Sequence, residues 1–167
     1  MGLIKSDTDK KYISKIRSKL GTDKFIVPAA RIIIENNHDE ILIIERADNG
    51  NIGIPAGGIE ENETIEECII REVLEETGLT ILSLVVIGIS SNPILETVEY
   101  PNGDCTQYLT IEFYSNKWEG TIRPQDTKEV RAARFADHSC IEKLPANEQS
   151  TFESLDYYRK TRKIMLK

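Results

Sequence analysis

The sequence predicts an α/β protein in the broad sense, an α+β arrangement in which strands precede and follow a central helix and a second helix closes the chain. Three observations carry this. β-branched apolar runs lie on both sides of Ile65 to Thr77, a stretch that no glycine or proline interrupts. Turn signals at Asn36-Asn37-His38-Asp39 and Tyr100-Pro101-Asn102-Gly103-Asp104 punctuate those runs. The 167 residues suffice for one domain with a proper core. We divide them into an N-terminal helical extension, residues 1–22, and a main domain, residues 23–167, that includes the C-terminal helix.

Taken in order, Lys10 to Leu20 reads as a short amphipathic helix ended by Gly21. Ile13, Ile16 and Leu20 lie on one side, and Lys11, Lys15 and Ser18 on the other. Phe25 to Ile34 is a strand. The Asn36 to Asp39 turn and the strand Ile41 to Ile44 make the pair read as a hairpin. Asp48 to Gly53 is a loop leading into Ile54-Pro55, and Gly57 and Gly58 allow a tight turn. Thr64 caps the central helix, Glu67 completes a capping box, and Gly78 stops the helix. Its apolar stripe is Ile69, Ile70, Val73 and Leu74. Leu79 to Ser90 reads as one long strand, Gln107 to Tyr114 as another and Val130 to Phe135 as a short one. Leu144 to Lys163 holds the last helix, with Phe152, Leu155 and Tyr158 toward the core.

Composition narrows the function. Apolar content of 40 % and charged content of 29 % are ordinary for a globular protein. The net charge of −7 argues against broad nucleic-acid binding but not against a phosphate substrate, because a bound metal inverts the local field. Basic residues at the two ends, among them Lys10, Lys11, Arg159 and Lys160, read as solvated helix faces. Cys68, Cys105 and Cys140 have no metal-site spacing and read as reduced thiols, which with the lack of an apolar leader implies a cytoplasmic location. No apolar run approaches the roughly 18 residues of a membrane span. His38 and His138 sit in polar contexts and are expected at the surface.

The chemistry concentrates between Gly57 and Leu79. Glu72, Glu75 and Glu76 fall at i, i+3 and i+4, on one side of a helix. Like charges at that spacing cost a few tenths of a kcal/mol per pair in water. Their crowding makes sense if a divalent cation sits among them, and all-oxygen ligands suit Mg²⁺ or Mn²⁺ arriving with a substrate's phosphates. The acids also border apolar positions, which predicts a cleft rather than an open face.

The same segment resembles the signature of the Nudix hydrolases, G-x5-E-x7-R-E-U-x-E-E-x-G-U, with U aliphatic. Gly57, Glu63, Arg71, Glu72, Val73, Glu75, Glu76, Gly78 and Leu79 match all nine fixed positions over 23 residues, which makes the match specific. The approach Ile54-Pro55-Ala56 is also similar; Ile52 departs, standing where many members carry Trp. The resemblance implies the Nudix fold, mixed β-sheets sandwiched between helices. It implies hydrolysis, by water attack at phosphorus, of a nucleoside diphosphate linked to another moiety. The candidates for that substrate are a nucleoside triphosphate, ADP-ribose or a dinucleoside polyphosphate. Mg²⁺ is the implied cofactor, with Mn²⁺ as substitute. Glu75 and Glu76 are the implied direct ligands, joined by the Gly57 carbonyl, with Glu72 a further ligand or the general base. Arg71 and Glu63 orient the cluster. A further acid from a later loop is expected at Glu129 or its rival Asp126. Arg46 and Gly58 are candidates for touching substrate. Pro93, 15 residues past Gly78, matches a spacing found in ADP-ribose hydrolases of the family and equally a plain turn. The Tyr100 to Asp104 turn either lines the cleft or merely joins strands. Two other functions remain: a non-catalytic nucleotide-sensing module, which lost box acids would mark, and an RNA 5′-end pyrophosphohydrolase, which needs a basic groove. A homodimer is compatible with everything above.

Overall fold

The computed structural model describes residues 12–167. In chain order its elements are α1 Tyr12–Leu20, β1 Phe25–Ile34, β2 Ile41–Arg46, β3 Ile52–Gly53, β4 Ala56–Gly58, α2 Ile65–Thr77, β5 Leu79–Ile81, β6 Val85–Ser90, β7 Thr97–Glu99, β8 Cys105–Ser115, β9 Trp118–Gly120, β10 Val130–Ala136, α3 Ala146–Thr161 and β11 Met165–Leu166. A 3-10 turn at His138–Lys143 leads into α3. Lys10 and Lys11, read as the start of the first helix, lie outside the described residues. No helix among the described residues is long and apolar enough to cross a membrane.

β1 sits inside a mixed sheet ordered β11-β6-β8-β1-β4, with β7 also on β8. It runs parallel to β8 along its whole length and antiparallel to β4 on its other edge. Ala30, Ile32 and Ile34 pack with Cys68, Ile69 and Val73 of α2. Ile33 points the other way, into the cluster that holds Phe152 and Leu155 of α3. Helices cover both faces, which is why β1 reads as an unbroken apolar run rather than an alternating one. The second sheet is β10-β2-β3 and the third is the pair β5-β9. This is the expected sandwich of mixed sheets between helices.

Helix α2 forms where the local signals place it. Thr64 Oγ1 accepts Glu67 N–H at 3.2 Å and Glu67 Oε2 accepts Thr64 N–H at 2.8 Å, the reciprocal capping box. Gly78 ends the helix at φ 79°, a left-handed turn that glycine adopts without cost.

Several expectations are corrected. β1 and β2 are not a paired hairpin: a single bridge, Glu35 to Ile41, joins them. Both edges of β1 are taken by β4 and β8, so β2 leaves to pair with β10 and β3. The run from Leu79 to Ser90 breaks at Leu82, because β5 pairs with β9 while β6 pairs with β8. Leu74 is 37 % exposed and lies off the buried arc of α2, which instead includes Glu72 and Glu76. Gly57 and Gly58 lie within β4 and make no turn of positive φ. The final helix does fall inside the expected span, and it buries Phe152 and Leu155 and half-buries Tyr158.

Candidate active site

β4 is an edge strand of its sheet. Gly57 pairs with Ala30 and faces α2. A Cβ built on Gly57 would stand 2.0 Å from Glu72 Oε1 and 2.1 Å from Glu72 Cδ. Glycine is required there because the Glu72 carboxylate occupies the place of a side chain.

Arg71 organises the acids. Its Nε and Nη2 donate to the two oxygens of Glu63 at 2.7 and 3.0 Å, a bidentate fork. Nη1 donates to Glu72 Oε1 at 2.7 Å and to Glu75 Oε2 at 3.3 Å, and Nη2 reaches Gly58 O at 3.3 Å. The hydrogen bonds to Glu63 raise the Arg71 pKa. Burial pushes Glu63 up, but the Arg71 hydrogen bond and charge outweigh it and its pKa ends below the usual value.

Glu76 sits deeper, 6 % exposed, and accepts Ala56 N–H at 3.3 Å. Burial first and the charge of Glu72 second hold its carboxyl well above the usual range, and Glu129 pushes the same way. Buried carboxylates crowded on one another are what a divalent cation relieves, and the donors here are all oxygens, so they fit Mg²⁺ or Mn²⁺. Among the described residues no group of three or more His, Cys, Asp or Glu side chains is placed to hold a metal ion. Arg71 and Ala56 N–H hold the carboxylates instead.

Glu72 and Glu76 open onto a cleft of about 370 Å³, with Gly57, Arg46, Lys128 and Glu129 also on its walls. Glu129 arrives through β-pairing: Ala47 N–H donates to Glu129 O at 2.9 Å, and Val130 lies opposite Arg46. Its rival Asp126 closes a turn, accepting Lys128 N–H at 3.0 Å, and stands apart from the cleft lining. Arg46 lines the cleft and also pairs with Asp48 at 3.3 Å, 51 % exposed. Gly58 is on the wall as well. Glu75 stands outside that lining, 39 % exposed on the outer side of Arg71.

Cys68 is buried under the glycines, its thiol contacting Gly57 O and Gly58 O at 3.7 and 3.4 Å. Burial pushes it up to about 12, so it is packing rather than redox chemistry. His38 is exposed, and His138 lies near Glu35 at 3.8 Å, away from the cleft. Pro93 stands in a turn away from the cleft. The sequence reading missed Ile13, Glu60 and Lys128, and left the role of Tyr100 undecided; all four line the cleft. Lys128 adjoins Glu129 and so had a local signal, whereas Ile13 is brought there by tertiary packing alone.

A sequence model described as the NUDIX domain matches residues 26–157. The chain belongs to the Nudix hydrolase family. With every fixed position of the box present, this Nudix protein is a pyrophosphohydrolase. It is similar to the ADP-ribose pyrophosphatase of Methanocaldococcus jannaschii, 30 % identical over 158 residues, which cover 90 % of this chain and 86 % of that protein. It is also similar to the NAD-capped RNA hydrolase NudC of Pseudomonas aeruginosa, 28 % identical over 76 % of this chain and 42 % of that protein. Among solved structures it superposes on the MutT protein from Methanosarcina mazei Go1 with a TM-score of 0.67 at 23 % identity, covering 83 % of this chain and 99 % of that one. The NUDIX domain of Shewanella oneidensis NrtR, crystallised with ADP ribose, gives 0.66 at 17 % identity, covering 90 % and 97 %. At these identities the two structures speak for the Nudix fold alone.

Proposed function

We propose that this enzyme is a Mg²⁺-dependent hydrolase of the pyrophosphate linkage in a nucleoside diphosphate joined to another moiety, with ADP-ribose as its substrate. The observation that carries the reaction is the carboxylate set around Gly57: Glu72 and Glu76 in the cleft, Glu129 facing them, and Arg71 with Glu63 behind. The similarity to an ADP-ribose pyrophosphatase along nearly the whole of both chains supports the substrate.

Glu75, Glu76 and the Gly57 carbonyl would hold the cation, with Glu72 either a further ligand or the base and Glu129 a supplementary acid. When bound, Mg²⁺ neutralises the pyrophosphate and lowers the pKa of water bound to it. Arg46 and Lys128 supply positive charge in the same cleft, and a guanidinium matches phosphate oxygens. A carboxylate of the set takes one proton from the attacking water. The water oxygen bonds to one phosphorus and the bridging P–O bond breaks toward the other phosphate, so ADP-ribose gives AMP and ribose 5-phosphate. The fork from Arg71 to Glu63 ties α2 to the loop after β4 and fixes the direction in which Glu72 points. The three cysteines, none in a disulfide, suit the reducing cytoplasm.

A panel of ADP-ribose, nucleoside triphosphates, dinucleoside polyphosphates and 5′-triphosphorylated RNA, with Mg²⁺ or Mn²⁺, tests this by product mass. AMP and ribose 5-phosphate as the dominant products support it. No product from any of them sinks the catalytic reading in favour of a sensing module.

A further inference from the structure

The cleft continues around the edge strand, and its far half has different chemistry. Gly57 faces the acids, whereas Gly58, one residue on, faces the opposite side of the sheet. A Cβ built on Gly58 would lie 2.9 Å from Ile13 Cδ1 and 3.7 Å from Val27 Cγ1. Tyr100 enters the same cleft from the turn between β7 and β8. Its hydroxyl is bonded to that of Tyr108 at 2.8 Å, and Tyr108 is level with Val27 across the β1–β8 ladder. Ile13 and Tyr100 thus give the cleft an apolar surface on the Gly58 side, beside Glu60, while the Glu72 carboxylate borders the Gly57 side.

The two segments that carry Ile13 and Tyr100 are locked together. Arg17 of α1 lies 3.5 Å from Asp104 Oδ2 and donates to Cys105 O at 2.9 Å and Thr106 Oγ1 at 2.8 Å. Asp104 O in turn accepts Tyr100 N–H at 2.8 Å. α1 is also pinned beside β4, where Tyr12 N–H donates to Glu60 Oε2 at 2.7 Å and Lys15 pairs with Glu61 at 2.6 Å. The NUDIX match begins at residue 26, so α1 lies wholly outside it and yet supplies a wall of the catalytic cleft.

We propose that α1 and the Tyr100–Asp104 turn form the nucleobase subsite of this enzyme, with Tyr100 offering its ring for stacking and Ile13 its aliphatic surface. The proposal rests on reading the cleft as a nucleoside diphosphate site. A base has two apolar faces and stacks on an aromatic ring. The second ribose of ADP-ribose is covered with hydroxyls and gains nothing from an Ile13–Tyr100 wall. That polarity sets the substrate's direction: base toward α1, pyrophosphate over Gly57, leaving sugar phosphate toward solvent.

The test separates base recognition from phosphate recognition. AMP and ribose 5-phosphate are titrated calorimetrically, with Mg²⁺ present, into wild type, Tyr100→Ala, Tyr100→Phe and Ile13→Ser, each checked for a cooperative thermal transition. Tyr100→Ala is expected to weaken AMP about tenfold, from the loss of one stacking contact, and Ile13→Ser to weaken it in the same sense. Tyr100→Phe keeps the ring and stays within about twofold of wild type. Ribose 5-phosphate binding is unchanged in all three, and KM for ADP-ribose rises in Tyr100→Ala far more than kcat falls. AMP affinity unaltered in both Tyr100→Ala and Ile13→Ser, or AMP and ribose 5-phosphate weakened equally, overturns the subsite. A wild type that binds AMP with this dependence but cleaves no ADP-ribose upholds the subsite and defeats the reaction proposed above. Ile13→Ser reads the subsite from a separate element if Tyr100→Ala does not fold.

Discussion

Replacing Gly57 with alanine places a methyl group on top of a functional carboxylate. The added Cβ would sit 2.0, 2.1 and 2.6 Å from Oε1, Cδ and Cγ of Glu72. Ordinary contact needs roughly 3.4 Å or more, so the carboxylate must retreat by about 1.4 Å. What yields is the end of a side chain, and Gly57 has no positive φ, so the backbone carries no added strain. The cost to folding is the weakened bond from Arg71 to Glu72, about 1 kcal/mol for a partly exposed pair. The cost to catalysis is far larger, because a displacement of about 1 Å at a reacting group lowers turnover about a hundredfold, or roughly 2.7 kcal/mol of barrier. The assay pairs kcat/KM for ADP-ribose with denaturant unfolding. Gly88→Ala is the control: its Cβ would meet Glu112 Oε2 at 2.2 Å and Ser154 Oγ at 2.7 Å in the buried network beneath α3, away from the cleft. It should lose stability and keep kcat. Gly57→Ala with activity within threefold of wild type, or with a stability loss like that of Gly88→Ala, refutes the reasoning.

Two further predictions concern charge. Arg71→Lys keeps one positive charge but cannot hold Glu63, Glu72, Glu75 and Gly58 O at once, so it should lose about 2 kcal/mol of stability and at least about tenfold in kcat/KM, by urea unfolding and steady-state kinetics. Glu148, half-buried at the start of α3, accepts Ile54 N–H at 2.7 Å, and burial pushes its carboxyl up to about 7 from 4.5. A carboxyl with a raised folded pKa contributes stability below the unfolded value and loses it as pH rises, here between about 4.5 and about 7. A rise from 4.5 to about 7 corresponds to at most about 3.4 kcal/mol. Glu148→Gln should therefore flatten the wild-type decline in unfolding free energy over that window; identical slopes in the two proteins would remove Glu148 as its source.

What was legible in the sequence is what is local. The Thr64–Glu67 box, the Gly78 stop and the i, i+3, i+4 acids each need only neighbours along one helix, and all are found. The pairing of Glu63 with Arg71, eight residues away, follows from the family resemblance and not from local geometry. Strand partners were not readable: nothing within Phe25 to Ile44 says that β1 pairs with β4 and β8 and sends β2 to another sheet. The glycines of β4 look like turn residues in the sequence, because absence of a side chain looks the same whether φ or space demands it. Ile13 carries no mark of its place in the cleft, since tertiary hydrogen bonds from Tyr12, Lys15 and Arg17 put it there. Glu148 likewise looks like any helix acid until Ile54 N–H and its burial are seen.

The most direct test of the central claim, that the carboxylates around Gly57 serve metal-dependent cleavage of a pyrophosphate, is turnover of ADP-ribose by wild type and Glu76→Gln with Mg²⁺ and after chelation. The wild type should yield AMP and ribose 5-phosphate only with the cation. Glu76→Gln, which removes a buried negative charge and keeps the shape, should unfold at no lower temperature and lose at least about a hundredfold in kcat. Wild-type turnover that survives chelation, or a Glu76→Gln enzyme as active as its parent, would contradict the account.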